Sequence, residues 1–172
     1  FKTPQGDWTK EKYDDGSWQE GYGAFGDRNT EANKTKWSGD DADVYIRRHF
    51  NVSKIEKDAK IRIVYSHDDV FELYLNGEKI VDTGNTWLDD QVVELTPAQA
   101  AKLHEGDNVI AAHCHNTTGG AYADFGIYYT PANVSKFDAA AEQLSCDVLA
   151  TSSYYTFKCG PVKLNVVFTA PQ

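Results

Sequence analysis

The chain has little of what would cross-link it or anchor it in a membrane. Its 172 residues include three Cys, five Pro and no Met. An odd number of cysteines without Cys-x-x-Cys spacing favours neither a disulfide framework nor a zinc site. Cys146 and Cys159 either pair across neighbouring strands or remain buried free thiols, as we expect for Cys114. No run of about 18 apolar residues occurs, so no membrane span is expected.

Positive charge is also scarce. Lys and Arg number 17 against 26 Asp and Glu, which gives a net charge of −9 spread along the whole chain. Nucleic-acid binding needs a concentrated basic surface, so a neutral ligand or a basic partner fits this chain better. With 41% hydrophobic and 13% aromatic residues, the composition is that of a globular protein with about one domain.

The N-terminus lacks the basic and apolar pattern of an export signal. It also lacks an initiating Met, and the chain begins and ends abruptly at Phe1 and Gln172. We therefore expect a mature or excised piece of a longer protein, with its targeting information in the part that is missing.

One stretch, HDDVFELYLNG at 67–77, combines a strand signal with a polar cluster. Its second half alternates apolar and polar residues and ends in Asn-Gly, which predicts a half-buried strand and a type I′ hairpin turn. Its first half, His67, Asp68 and Asp69, follows a predicted strand and is expected to form a loop at one end of a sheet. Such loops often carry binding chemistry, so these three residues are the first site candidates.

Strand-like segments recur along the chain, with turn signals about every ten residues. Thr96 followed by Pro97 is instead the start signal of one short helix. The pattern predicts an all-β fold, an antiparallel β-sandwich with one short helix over residues 1–131. The predicted strands are 43–50, 61–66, 70–76, 79–82, 91–95, 109–115 and 122–130, with a loop at 83–87.

The last part of the chain, residues 132–172, follows the predicted strands of the sandwich. We expect residues 132–172 to be a linker and the truncated first strands of a second β domain, at 139–149, 154–159 and 162–168. Unpaired strands there would favour a dimer formed by β-pairing.

Short motifs follow one another in a distinctive order. They are DDGSW at 14–18, GAFG at 23–26, YIRRHF at 45–50, HDD at 67–69, YLNG at 74–77, GDNVIA at 106–111 and HCHNT at 113–117. Over about residues 7–130 this order resembles the galactose-binding-like jelly roll, the sugar-binding domain type that precedes the catalytic parts of β-galactosidase-like glycoside hydrolases. In the tail, LATSSYYTFKCG at 149–160 and VFTAP at 167–171 resemble the start of the β domain that follows it in glutaminase A-like proteins.

The resemblance implies a parent protein of the kind found in gut Bacteroidota, large and either secreted or periplasmic. That parent would be an amidohydrolase-like or glycosidase-like enzyme whose catalytic domains lie outside this chain. The resemblance brings no catalytic residue onto any position here.

Catalytic and metal sites have weak support in the residues themselves. The adjacent acidic pairs at 14–15, 40–41 and 68–69 would diverge in an extended chain, so loop capping is the favoured role over acid–base chemistry. His113 and His115 share one face of a predicted strand and could bind a metal with His67, but a packed core histidine is the favoured role for His113. A Ca²⁺ site in the acidic loops at 40–43 or 68–69 stays open, and no cofactor is otherwise expected.

Sugar binding needs an aromatic platform and polar side chains that reach hydroxyl groups. The alternative for the tryptophans is a role as core or interdomain plugs, and this is the favoured role for Trp18. The candidate platforms are Trp37, Trp87 and Tyr122, and the candidate polar ligands are His67, Asp68, Asp69, Arg47, His115, Asn116 and Asp124.

These patterns lead to one hypothesis and two alternatives. The hypothesis is a non-catalytic accessory module of a larger exported hydrolase, which binds carbohydrate weakly or packs beside the catalytic domains of its parent. The alternatives are a purely structural interdomain spacer and a domain that lends loop residues to the active site of the parent.

Overall fold

The computed structural model describes residues 3–27, 35–132 and 147–151, the last of these as backbone only. Within these residues two β-sheets pack face to face, which confirms the predicted antiparallel β-sandwich with one short helix. No helix in the described ranges is long and apolar enough for a membrane span.

The chain crosses repeatedly between the two sheets. The strands are β1 (Phe25–Gly26), β2 (Thr35–Lys36), β3 (Ala42–Val52), β4 (Lys60–Asp68), β5 (Val70–Leu75), β6 (Glu78–Asn85), β7 (Leu88–Glu94), β8 (Gly106–Asn116), β9 (Tyr122–Thr130) and β10 (Asp147–Thr151), with helix α1 (Pro97–Ala100) after β7. The large sheet has the order β2-β1-β9-β4-β7, with β10 also paired to β9, and the small sheet has the order β3-β8-β5-β6. This arrangement of two sheets is that of a jelly roll.

The core lies between the two sheets and follows the alternation of each strand. In β5, Phe71, Leu73 and Leu75 are fully buried, while the residues between them face outward. In β4, Ile63 and Tyr65 face the same core from the large sheet. The period-2 pattern in the sequence therefore marks the buried face correctly.

Two local predictions are confirmed. Asn76 and Gly77 have φ values of 48° and 87°, which a type I′ turn requires, and they join β5 to β6. Thr96 caps α1, with a capping box completed by Gln99.

Two loop predictions are wrong. His67 and Asp68 belong to β4, because its pairing with β9 continues through Ala123 and Tyr122, and only Asp69 lies between β4 and β5. The predicted loop at 83–87 is mostly strand, because β6 continues pairing with β5 as far as Asn85. Cross-strand pairing extended these strands beyond the point where their apolar alternation stops.

Residues 3–18, here named the N-terminal segment, pack on the outer face of the small sheet. The Trp8 ring lies 5.3 Å from the Tyr45 ring and 5.7 Å from the Tyr74 ring, measured between centroids. Val109 and Ala111, which also face outward from this sheet, are fully buried. The N-terminal segment thus gives the small sheet a second apolar contact, which explains why a loop-like sequence is rich in aromatic residues.

In the tail, the structure describes only β10. Its residues pair antiparallel with the 126–129 region of β9, so this strand adds to the large sheet. The other predicted tail strands and the pairing of Cys146 with Cys159 lie outside the described residues. The division of the chain near residue 131 stays a prediction.

Candidate functional site

His67, the first site candidate, is a core residue. Its side chain is fully buried and stacks on Phe71, with ring centroids 5.1 Å apart. Burial lowers the pKa of His67, and the hydrogen bond to the Asp69 carbonyl and nearby carboxylates offset only part of that effect. The imidazole is therefore neutral, and its Nδ1 donates to the Asp69 carbonyl oxygen at 2.9 Å. It does not reach the surface, so it cannot contact a ligand there.

Three more candidates are also turned away from solvent. Trp37 is 3% exposed and belongs to the core cluster. Asn116 is fully buried and donates from Nδ2 to the Gly39 carbonyl at 2.7 Å. Arg47 lies under the N-terminal segment, where its guanidinium binds Asp15 at 2.8 Å. The sequence marked these three as polar or aromatic but gave no signal of what covers them.

Three candidates lie on the outer face of the large sheet, and a fourth, Trp87, lies near the same end of that sheet. Tyr122 and Asp68 are direct partners across β9 and β4, and Ser66 and Asp124 are the next outward pair. Leu88, the first residue of β7, pairs with the inward-facing His67, so Trp87, which directly precedes it, lies close to Asp68 in the neighbouring position of β4. We name Tyr122, Asp68 and Trp87 the aromatic–acidic row. Cross-strand neighbours of this kind have Cβ atoms about 4.5–5.5 Å apart.

Trp87 is the member of the aromatic–acidic row that is most exposed to solvent. Its side chain is 55% exposed, whereas Tyr122, Asp68 and Asp124 are half-buried. An exposed indole beside a half-buried phenol and a carboxylate offers one apolar surface and several hydrogen-bonding groups. That combination is what the recognition of a sugar ring requires.

Carboxylates of neighbouring loops hold the β8–β9 connection next to the row. Asp69 Oδ2 accepts from the Thr117 and Thr118 amides at 2.8 and 3.4 Å. Asp40 and Asp27 accept from the amides of Gly119 and Ala121 at 3.1 and 2.9 Å. The predicted capping role of the acidic loop residues is thus confirmed for Asp40 and Asp69.

Asp68 and Asp69 do not diverge as expected for an extended chain, because the chain turns between β4 and β5. Burial raises the pKa of Asp69, but hydrogen bonds from Thr117 and Thr118 and a contact with the Asp68 side chain outweigh burial and leave the pKa lowered. The Asp69 carboxylate is thus engaged as a cap of the β8–β9 connection, which is the role that the sequence favoured.

His115 lies on the other outer face of the sandwich, in a polar cluster on the small sheet. Nε2 of His113 and Nδ1 of His115 lie 2.7 and 3.0 Å from the same oxygen of Asp43. Glu72 continues the cluster with a 3.4 Å contact to His113 and a salt bridge to Lys79. Burial raises the pKa of Asp43, but the hydrogen bonds to the two histidines outweigh it, so the pKa is lowered.

The histidine–carboxylate cluster was only partly found in the sequence. His113 faces outward and its side chain is 20% exposed, so it is not a histidine of the core between the sheets. Glu72 was missed, although the outward positions of two paired strands are the signal that would have identified it. His67 is in the core, apart from this cluster, and no group of three His, Cys, Asp or Glu within the described ranges is placed to hold a metal ion.

Comparisons with known proteins give no assignment. No protein-family model matches the chain, and no curated protein matches it. Among solved structures, the Streptomyces avermitilis α-L-rhamnosidase complexed with L-rhamnose is 20% identical with a TM-score of 0.45, over 55% of this chain and 9% of that one. The PA14 domain of the MpAFP antifreeze protein is 14% identical with a TM-score of 0.39, over 78% of this chain and 70% of that one. Likenesses this distant assign no function, and the chain is placed by its own β-sandwich architecture.

Proposed function

We propose that this chain is a non-catalytic accessory module of a larger exported hydrolase, glutaminase A-like or glycosidase-like, and that it binds carbohydrate through the aromatic–acidic row. The observation that carries the proposal is the 55% exposure of Trp87, which directly precedes the β7 residue paired with His67 and so lies close to Asp68 and Tyr122. The indole stacks on the apolar face of a sugar ring, and the carboxylate and phenol bind its hydroxyl groups.

The position of the row supports this use. It stands at the end of the large sheet, where β4 and β9 fix Asp68 and Tyr122 in register. The binding groups are therefore held by strands, so little conformational freedom is lost when a ligand binds. Sites built on strands are also positioned more accurately than sites on free loops.

Two observations support a non-catalytic role. The Asp69 carboxylate is occupied by the amides of Thr117 and Thr118. The remaining acidic pairs at 14–15 and 40–41 are likewise engaged, since Asp15 binds Arg47 and Asp40 binds the Gly119 amide. Hydrolysis of glutamine or an aryl glycoside by the isolated chain would overturn this part of the proposal.

The binding proposal is tested by calorimetric titration with galactosides and other simple sugars, together with tryptophan fluorescence. We expect weak binding that Trp87→Ala reduces about tenfold or more, equivalent to about 1.4 kcal/mol. Tyr22→Ala is the matched control, because Tyr22 is 61% exposed and lies outside the row. No heat and no fluorescence change with any sugar would overturn the proposal and leave a structural spacer as the function.

A further inference from the structure

Three buried polar atoms lie at one end of the core between the sheets. Within the described ranges, Trp37 Nε1, His67 Nε2 and Asn116 Oδ1 are shielded from solvent and have no hydrogen-bond partner. A buried polar group without a partner costs free energy comparable to a lost hydrogen bond, so native folds rarely contain one. Three of them at one end of a core therefore point to a shared partner.

Contacts between the sheets bring His67 and Asn116 to the same end of the core. Asn116 is the last residue of β8 and faces inward, as Cys114 does. The Cys114 Sγ atom lies 3.6 Å from the carbonyl oxygens of Asp68 and Tyr122. Because Asp68 directly follows His67 on β4, the end of β8 lies against the end of β4 that carries His67.

Trp37 reaches this end of the core from the segment after β2. Its amide donates to the Gly26 carbonyl oxygen at 3.2 Å, and Gly26 is the β1 partner of Tyr122. The Asn116 side chain in turn donates from Nδ2 to the carbonyl oxygen of Gly39, two residues beyond Trp37. The indole is 3% exposed, so its N–H group is held inside the core together with the other two atoms.

The hydrogen-bonding roles of the three atoms define what their partner must be. Nδ1 of His67 donates to the Asp69 carbonyl oxygen, so Nε2 of the neutral ring is an acceptor. Asn116 donates from Nδ2 to the Gly39 carbonyl oxygen, so its Oδ1 is also an acceptor. Trp37 Nε1 can only donate. One donor cannot satisfy two acceptors, so direct contacts among the three atoms would still leave one acceptor without a donor.

We propose that this end of the core holds one internal water molecule, which accepts from Trp37 Nε1 and donates to His67 Nε2 and Asn116 Oδ1. A water molecule commonly makes three hydrogen bonds in such a site, and its two hydrogens supply the donors that the protein lacks here. The fully buried Ala121 and Ala123 have short side chains, which leave room beside the polar atoms. The water links β4, β8 and the segment after β2, whether or not the chain binds carbohydrate.

The unmodified protein gives the first test, by X-ray diffraction that resolves ordered water and by NMR. We expect one water oxygen within about 2.7–3.2 Å of all three atoms. We also expect the indole proton of Trp37 to show the negative NOE of a long-lived water, in contrast to that of Trp87, which is 55% exposed. Absence of this water, or a direct hydrogen bond from Trp37 Nε1 to His67 or Asn116, would overturn the proposal.

A double-mutant cycle tests whether the water couples the residues. Trp37→Phe removes the donor and His67→Phe removes the acceptor, while each keeps an aromatic ring. Because either change releases the water, we expect the unfolding constant of the double variant to depart about threefold or more from the product of the single effects. The matched control cycle combines Trp37→Phe with Tyr129→Phe, because Tyr129 accepts from the Glu56 amide and pairs with Ile61 near the other end of β4.

The two cycles are read against each other. The control cycle should be multiplicative within about twofold, since its residues share no partner. If the cycle of Trp37 and His67 were as close to multiplicative as the control, the bridging water would be refuted. Where a double variant does not fold, diffraction and NMR of the unmodified protein decide by themselves.

Discussion

At the scale of single residues, Arg47 is a buried charged side chain that contributes to stability through several hydrogen bonds. Its side chain is 1% exposed, Nε donates to Asp15 at 2.8 Å, and Nη1 donates to the carbonyl oxygens of Trp8 and Lys10. The guanidinium also lies 5.1 Å from the centroid of the Tyr13 ring. The residue predicted to bind a sugar instead fastens the N-terminal segment to the small sheet.

We expect Arg47→Ala to lower the free energy of unfolding by about 3 kcal/mol, because it leaves Asp15 and two carbonyl groups without their donor. Urea unfolding measures the change. The matched control is Arg62→Ala, which removes a more exposed ion pair with Glu94 and should cost under about 1 kcal/mol. Equal effects of the two variants would contradict the assigned role of Arg47.

The ion pair between Arg47 and Asp15 makes the stability of the protein depend on pH, because the pKa of Asp15 differs between the folded and unfolded chain. Burial raises the pKa of Asp15, but hydrogen bonds and charges from Arg47 and His49 outweigh it, so the folded pKa lies below the ordinary value. The stabilisation is therefore present above the unfolded pKa of about 3.9 and is lost as pH falls through the folded value. We expect Asp15→Asn to destabilise the protein at pH 7 and to have progressively less effect below about pH 4. A constant difference down to pH 2 in urea unfolding would refute this.

At the scale of elements, the β5–β6 hairpin is tied to the rest of the fold through one turn residue. Asn76 donates from Nδ2 to the Lys102 carbonyl and to Asn108, both at 2.8 Å, and its Oδ1 accepts from the Val109 amide at 2.7 Å. The same residue holds the positive φ of the turn. Turn geometry and tertiary contact thus depend on one side chain.

Two substitutions separate these contributions. Asn76→Gly keeps the positive φ but removes the side-chain hydrogen bonds, and we expect it to cost about 2 kcal/mol. Asn76→Ala removes the bonds and also disfavours the turn, so it should cost about 1 kcal/mol more. Thermal and urea unfolding of both variants measure the difference. If Asn76→Gly were neutral, the hydrogen bonds would contribute little.

At the scale of the whole molecule, the two outer faces of the sandwich have different roles. The N-terminal segment covers much of the outer face of the small sheet, where Trp8 contacts Tyr45 and Tyr74. The aromatic–acidic row lies on the outer face of the large sheet. The face that is buried for stability and the face proposed for binding are therefore on opposite sides of the core.

Removal of residues 1–18 tests this separation. We expect the truncated protein to lose about 3–5 kcal/mol of stability, because outward-facing apolar groups such as Val109 become exposed. Its affinity for any sugar that the full chain binds should stay within about twofold, since the row is on the other sheet. The measurements are urea unfolding and calorimetry at a temperature where the truncated protein is folded. Loss of binding by a folded truncated protein would show that the two faces are coupled.

The elements of the fold were largely predictable because their signals are local. Alternation located the strand cores, Asn-Gly located the hairpin turn, and Thr96-Pro97 located α1. Each of these depends on φ, ψ and side-chain direction within a few residues. The strand ends at Asp68 and Asn85 were missed, since pairing with neighbouring strands extended β4 and β6 past their local signals.

The sequence by itself determined the strand alternation, the turn and the helix cap, together with the acidic charge. Only the tertiary structure decided which of the ten site candidates lie together. It buried His67, Trp37 and Asn116 and covered Arg47, while it aligned Asp68 with Tyr122 on one face and brought Trp87 close to them. The physical reason is that β4, β7 and β9 are far apart in sequence, and their register depends on how both sheets bury their apolar faces.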